Sequence, residues 1–165
     1  DEFGSMSYLQ AVLAGLDPPA PSPSTGASRL LADLSDDAVR LVLDMVGGDS
    51  PLIGLEIRQL GGAAAREPAE PSPISHRDAP FLLHLLAGAT EPEAITAVRA
   101  FQDRALASLG SHLHPGRMLN FLAAETSAEA LRAAYSPQAF ERLQRIKREY
   151  DPHDTFRYTR SLARS

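Results

Sequence analysis

The chain of 165 residues contains no cysteine. Disulfide bridges, thiol nucleophiles and cysteine-ligated zinc are therefore excluded, and the redox compartment cannot be inferred. No run of about 18 apolar residues occurs, so no membrane-spanning segment is predicted. Basic residues are a minority, because 16 Lys and Arg stand against 21 Asp and Glu. Since they are spread among acids, we expect no nucleic-acid partner.

The composition that remains is typical of a soluble globular protein, with 44% hydrophobic and 22% charged residues. This length suits one ordinary domain with a real core, which we expect over residues 6–165. Residues 1–5 contain Glu2-Phe3 and Gly4-Ser5, dipeptides that common cloning sites leave behind, and we interpret them as a vector remnant. No signal peptide is predicted after Met6, because a basic region is lacking there, so a cytoplasmic location is expected.

Four segments carry helix signals. Each begins with a residue that caps helix N-termini and continues with apolar residues at helical spacing. Three of them are followed by stop signals, namely Gly47-Gly48, Gly110 and Asp151-Pro152. The start signals are Ser35 with Asp36 and Asp37, the capping boxes Thr90/Glu93 and Thr126/Glu129, and Ser136-Pro137.

Three segments are predicted to be strands. From Ile53, apolar residues alternate with Gly54, Glu56 and Arg58, which indicates a half-buried strand. The stretch 81–88 is apolar on both faces apart from one histidine and is typical of an inner strand, whereas 117–123 is predicted to be a short strand. The proline-rich stretch 17–25 is predicted to be an irregular connection. The order of elements favours an α+β fold with a mainly antiparallel sheet backed by helices.

Several common sites are not supported by the sequence. There is no Gly-x-Ser-x-Gly elbow, no Gly-x-Gly-x-x-Gly and no Gly-x-x-x-x-Gly-Lys, so neither a serine hydrolase nor a self-contained phosphate site is predicted. His112 and His114 are two apart without a third nearby ligand, and no metal site is predicted. His84 is expected to be a hydrogen-bonded core residue.

Four segments together resemble the berberine bridge enzyme-like family of FAD-linked oxidoreductases. The resemblance runs from about Tyr8 to Leu162. It implies the substrate domain and the C-terminal segment of such an enzyme, with FAD as the cofactor. The segments are Leu55-Glu56-Ile57-Arg58-Gln59-Leu60-Gly61-Gly62-Ala63, His76-Arg77-Asp78-Ala79, Met118-Leu119-Asn120-Phe121 and Tyr150-Asp151-Pro152-His153-Asp154-Thr155-Phe156-Arg157.

The third segment departs from the family pattern. The resemblance implies a tyrosine phenol and an asparagine beside the flavin, but the two tyrosine positions read Met118 and Phe121. Neither side chain transfers a proton, so no catalytic residue is assigned. Asn120 is the predicted cofactor contact.

Four residues are predicted to bind substrate, namely Arg58, His76, Arg77 and Met118. Each motif has a structural alternative. Arg77 could anchor a loop. If the face of the strand that carries Glu56 and Arg58 met a flavin, Glu56 would serve as the base that takes the substrate proton. The alternative is that Glu56 and Arg58 form an exposed ion pair. The segment 150–157 could stop a helix and tuck one aromatic side chain into the core.

Family members hold FAD in a large N-terminal domain that this sequence does not contain. We therefore expect either the substrate-binding portion of an FAD-dependent oxidoreductase, inactive alone and served by a flavin-domain partner chain, or a stand-alone, non-catalytic protein that binds a small molecule or a partner. A homodimer is expected, because an apolar face would otherwise stay uncovered. The residues expected on that face are Met118, Phe121, Phe140 and Phe156.

Overall fold

The computed structural model of the protein describes residues 4–10, 23–70, 72–123 and 127–157. Its strands and helices alternate with two single turns of 3-10 helix, at Gly110–His112 and Leu119–Phe121. No helix in these ranges is long and apolar enough to cross a membrane. In chain order the elements are β1 (Ser24–Leu31), α1 (Asp36–Val46), β2 (Leu52–Gln59), β3 (Phe81–Gly88), α2 (Pro92–Ser108), α3 (Ala128–Arg132) and α4 (Pro137–Tyr150).

The three strands form one antiparallel sheet in the order β1-β3-β2. The central strand β3 is apolar because both its faces are covered, and Leu82, Leu83 and Leu85 are fully buried. The prediction of an inner strand is confirmed, and so is the α+β class with helices backing an antiparallel sheet.

The sheet has a core on each face. On one face, Leu31, Leu83 and Leu85 pack against α1 and α2. On the other, Leu30 and Leu82 pack against Ala79, and the segment around the second 3-10 turn covers them. This second face contains the residues of the candidate site.

Two predictions of strand positions were wrong. Strand β1 begins at Ser24, inside the stretch predicted to be irregular, because pairing with β3 in the order β1-β3-β2 supplies its hydrogen bonds. The stretch 117–123 is not a strand. The Phe121 amide donates to the Met118 carbonyl over 3.0 Å and the Arg117 amide to the Ala133 carbonyl over 2.9 Å, so the chain turns over the sheet instead of extending it.

The helix starts agree with the predictions to different degrees. Ser136 caps α4 as predicted, since its hydroxyl accepts the Ala139 amide at 3.2 Å. Helix α2 begins after Glu91, so the predicted capping box is not formed there. Helix α3 is capped by Ser127, and Thr126 lies outside the described residues.

Strand β2 lies at the edge of the sheet and is less buried than its alternation predicts. Leu55 packs against the core beneath the helices. Ile53 and Ile57 stay 68% and 37% exposed, because β2 pairs on one side only and carries an irregularity between Leu52 and Gly54.

The apolar face predicted to drive dimer formation is not present in that form. Phe140 is only 8% exposed, and Met118 and Phe121 are half-buried against the sheet core. Phe156 is the exception at 72% exposure.

Candidate functional site

A pocket of about 280 Å³ opens beside the second 3-10 turn. Three of the predicted site residues, His76, Met118 and Asn120, line it together although they come from separate motifs. Most of its walls are apolar, and a few polar groups converge on it, which is the usual composition of a small-molecule site. The other lining residues are Leu30, Pro73, Ile74, Ser75, Arg117, Leu119, Ala134, Tyr135 and Leu143.

His76 is held in an unusual backbone conformation, with φ at +60°. Its Nε2 donates a hydrogen bond to the carbonyl of Ala133 over 2.8 Å. Because a carbonyl only accepts, the proton of the neutral imidazole is on Nε2, and Nδ1 is an acceptor. The ring lies directly against Gly116, where a Cβ atom would come within 2.4 Å of it.

His114 and Asp78 lie close to His76. The ligand atoms of the three residues are all within 4.8 Å of one another, an arrangement that could in principle hold a metal ion. However, Nδ1 of His114 accepts the Gly116 amide at 3.0 Å, so its Nε2 carries the proton and donates to Asp78. That hydrogen bond lowers the pKa of Asp78. A metal would need the Nε2 lone pair, so the hydrogen bonds oppose metal binding.

Asn120 and Met118 come from the turn that replaces the predicted strand. Asn120 is exposed at the pocket, while Met118 packs on the sheet core. The turn is fixed to β1, because the Ser28 hydroxyl donates to the Phe121 carbonyl over 2.7 Å. The Phe121 ring packs on the sheet face against His84 and does not line this pocket.

Arg77 and Arg58 do not line this pocket. Arg77 donates to the Ala64 carbonyl over 2.7 Å and lies 3.8 Å from Glu67, which matches the loop-anchoring alternative. Arg58 forms a two-pronged pair with Glu56 and stacks 4.8 Å from the centre of the Phe121 ring. Glu56 is thus paired with a cation on the surface.

His84 stands between Ser28 and Glu56 across the three strands. Its ring meets the edge of Phe121, and its Nδ1 lies 4.0 Å from a Glu56 oxygen, beyond hydrogen-bond length. Burial lowers the pKa of His84, although Glu56 opposes this. The His84 side chain is half-buried and packs on this face of the sheet. The prediction of a hydrogen-bonded core residue is not met among the described residues, because the Glu56 carboxylate is too distant for a hydrogen bond.

The C-terminal motif forms a turn after α4. Asp151 receives the charged amine of Lys147 and the amides of Thr155 and Phe156. The Lys147 hydrogen bond, helped by those amides, lowers the pKa of Asp151 to about 2. The motif is a helix stop, as its structural alternative states, but the predicted buried aromatic was wrong because Phe156 is exposed.

Tyr135 and Arg117 are two of the pocket residues that were not predicted from the sequence. Tyr135 places a phenol at the pocket, and its ring lies 6.1 Å from Phe140, five residues later. Tyr135 precedes the N-cap Ser136, and Phe140 is the fourth residue of α4, so the two rings form a hydrophobic staple. Because Ser136-Pro137 marks the helix start, the staple could have been predicted from the sequence. Arg117 had no comparable signal.

Comparison with known proteins supports the resemblance in two ways. Residues 119–163 match the family model described as berberine and berberine like. The fold is similar to that of a variant of BBE-like 1 from Physcomitrella patens, with a TM-score of 0.68 over 86% of this chain at 13% sequence identity. At that identity the likeness shows the fold alone. No curated protein matches the chain.

The chain spans 30% of the length of that solved relative. The predicted resemblance is therefore confirmed by sequence for the C-terminal segment and by fold for most of the rest.

The described residues do not fit a complete FAD molecule. Dinucleotide sites place the pyrophosphate at a glycine-rich turn before a helix. Here α1 starts with Asp36 and Asp37 and α2 has Glu93 in its first turn, and these acids repel phosphate. Helix α4 has no acid in its first turn, but no glycine-rich turn precedes it. A pocket of about 280 Å³ is also at the lower limit for drug-sized ligands.

Proposed function

We propose that the chain is the substrate-binding portion of an FAD-dependent oxidoreductase of the berberine bridge enzyme-like kind and is inactive alone. One observation carries this proposal: His76, Met118 and Asn120, from three motifs of the resemblance, converge on one largely apolar pocket. Asn120 remains the proposed contact to the cofactor. FAD would be held by a flavin domain, either on the same polypeptide or on a partner chain.

The proposed ligand is a small, largely apolar molecule with one polar end. The apolar walls bind its body, while the Asn120 amide both donates and accepts hydrogen bonds at its polar end. The His76 ring lines the pocket beside it. Met118 contributes a flexible thioether that adapts to the ligand shape. Because Arg58 and Arg77 lie outside this pocket, their proposed substrate contacts would need another part of the full enzyme.

A stand-alone binding protein is the second candidate. The observation that favours it is the pair Met118 and Phe121, which replaces the two phenols of the resembled strand. Tyr135 brings a phenol to the pocket from another part of the chain, so the pocket still contains one phenol.

Flavin binding separates the two candidates. We expect the purified chain to be colourless and to show no oxidase activity with added FAD, because the described residues lack a pyrophosphate cradle. Isothermal titration calorimetry with FAD measures this directly. Micromolar affinity for FAD would contradict the proposal that the flavin is held elsewhere, and reduction of added flavin by a substrate would contradict inactivity.

Ligand binding in the pocket is tested with the fluorescent probe 1-anilinonaphthalene-8-sulfonate. We expect Met118→Ala to weaken binding roughly fivefold, since about 1 kcal/mol of apolar contact is lost. Met6→Ala is the matched control, because Met6 is 53% exposed and outside the pocket. Shifts of the Asn120 side-chain amide in ¹⁵N NMR would place the probe. Equal affinity in both variants, with no shift at Asn120, would remove the pocket from the proposal.

A homodimer remains part of the proposal, but on another surface. The outer edge of β2 is unpaired among the described strands. Ile53 on that strand is 68% exposed, and Leu43 on α1 is 60% exposed. Exposed edges and apolar side chains are what identical chains cover on pairing. Sedimentation velocity over a wide concentration range would show a single monomeric species if this is incorrect.

A further inference from the structure

Two arginines line a second pocket at the β1 side of the sheet. Arg29 lies on β1 and Arg117 precedes the second 3-10 turn, and both line this pocket of about 260 Å³. Asp103 and Ala107 of α2 form the opposite wall. Arg117 also lines the first pocket and so stands between the two.

Arg29 occupies a face of β1 that otherwise packs into the core. Its neighbours on that face, Ala27 and Leu31, contact the cluster beneath α1 and α2. Burial lowers the pKa of Arg29, and the positive charge of Arg117 lowers it further. Burial also lowers the pKa of Arg117, which Glu129 partly offsets. A guanidinium group still keeps its charge at neutral pH. Two cations therefore line this pocket against a single acid, Asp103, among the lining residues.

Both guanidinium groups have an unused buried donor. Nε of Arg29 and Nη1 of Arg117 are buried and have no hydrogen-bond partner in the described part of the chain. Arg77 Nε is a different case, because Glu67 lies 3.8 Å from it. Buried donors beside a second like charge are costly unless an acceptor of negative charge joins them.

We propose that Arg29 and Arg117 form a binding site for the oxyanion group of a small molecule. The forked donors of arginine match the paired oxygens of a carboxylate or a phosphate. The pocket volume suits such a group with a short apolar extension along Ala107 and Leu106. This site does not depend on the proposed oxidoreductase function or on the first pocket being occupied.

The site is tested by titrating the full chain with sodium phosphate and, separately, with sodium acetate, using sodium chloride at equal ionic strength as the reference. The readout is the Nε–H resonance of Arg29 in ¹⁵N NMR. We expect a saturable shift with at least one oxyanion and none with chloride. Saturation with phosphate alone supports a phosphate-bearing ligand, and saturation with acetate supports a carboxylate. No saturable shift with either would overturn the proposal.

Variants separate this site from general surface charge. Arg117→Met is expected to weaken the oxyanion affinity read at Arg29 about tenfold, as one charge-assisted bond is lost. Arg40→Met is the matched control, because the Arg40 side chain is 71% exposed and lies outside the pocket. Arg117→Lys keeps the positive charge but removes the paired guanidinium donors that match an oxyanion. It therefore tests the site if Arg117→Met does not fold. Unchanged affinity in both Arg117 variants would contradict the proposal.

Discussion

Gly116→Ala is expected to destabilise the protein by about 2 kcal/mol, because the added methyl group overpacks a filled site. Its Cβ atom would come within 2.4 Å of the His76 ring, far inside contact distance. The ring cannot move freely, since its Nε2 is bonded to the Ala133 carbonyl. The variant should therefore also lose probe binding in the first pocket. Urea unfolding measures the stability change.

A matched control and a double mutant show whether His76 is the cause. Gly61→Ala should change little, because the nearest atom to its Cβ would be the flexible Gln59 amide at 3.7 Å. In a His76→Ala background, Gly116→Ala should cost much less than in the parent chain, as the clashing ring is gone. Equal costs in both backgrounds would show that the backbone of residue 116, and not the His76 ring, is the sensitive element.

The elements that were predicted correctly are those whose signals are local. Helix α4 follows from Ser136-Pro137 and its periodicity, and β3 follows from an apolar run that only a covered strand tolerates. Strand β1 was missed because Gly26 and Ser28 are weak strand formers, and only the distant β3 holds them in the sheet.

For the candidate site too, some features could be predicted from the sequence and others could not. The resemblance identified His76, Met118 and Asn120, which the pocket brings together. Their geometry was not predictable, because the His76 ring depends on Gly116 and on the end of α3, neither of which is near it in sequence. The Arg29 and Arg117 pairing is likewise a product of tertiary structure, since an isolated arginine carries no signal of its partner.

Gln102 is a buried polar residue at a position where the helical pattern of α2 predicts an apolar one. It lies in the buried stripe of α2 between Val98 and Leu106 and is only 1% exposed. Its side-chain amide donates to the carbonyls of Thr25 over 3.2 Å and Leu85 over 3.3 Å. One amide therefore ties α2 to two strands, which the helical spacing of apolar residues does not reveal.

Gln102→Glu is accordingly expected to be the most damaging of these substitutions, at about 4 kcal/mol near neutral pH. The introduced carboxylate has no donor and would face two carbonyl oxygens in a buried site. Burial raises the pKa of this carboxyl above the value of about 4.3 that it has in the unfolded chain. The protonated form is then favoured in the folded state and can donate one hydrogen bond, so the defect should grow as pH rises from about 4.3 and level off above the folded pKa.

The measurement is the difference in unfolding free energy between variant and parent at a series of pH values from about 4.5 to 8. Taking the difference removes the loss of stability that the parent itself shows in acid. In the parent, the Ser35 amide lowers the pKa of Asp33 to about 2, the value that Asp151 also has. Both carboxylates lose their stabilising charge only as pH falls below about 4. Gln102→Met is the control, because it keeps the volume, leaves both carbonyls unpaired and cannot titrate. The prediction is contradicted if Gln102→Glu loses little unfolding free energy and the loss is as independent of pH as that of Gln102→Met. That result would mean that water reaches the interface between α2 and the sheet.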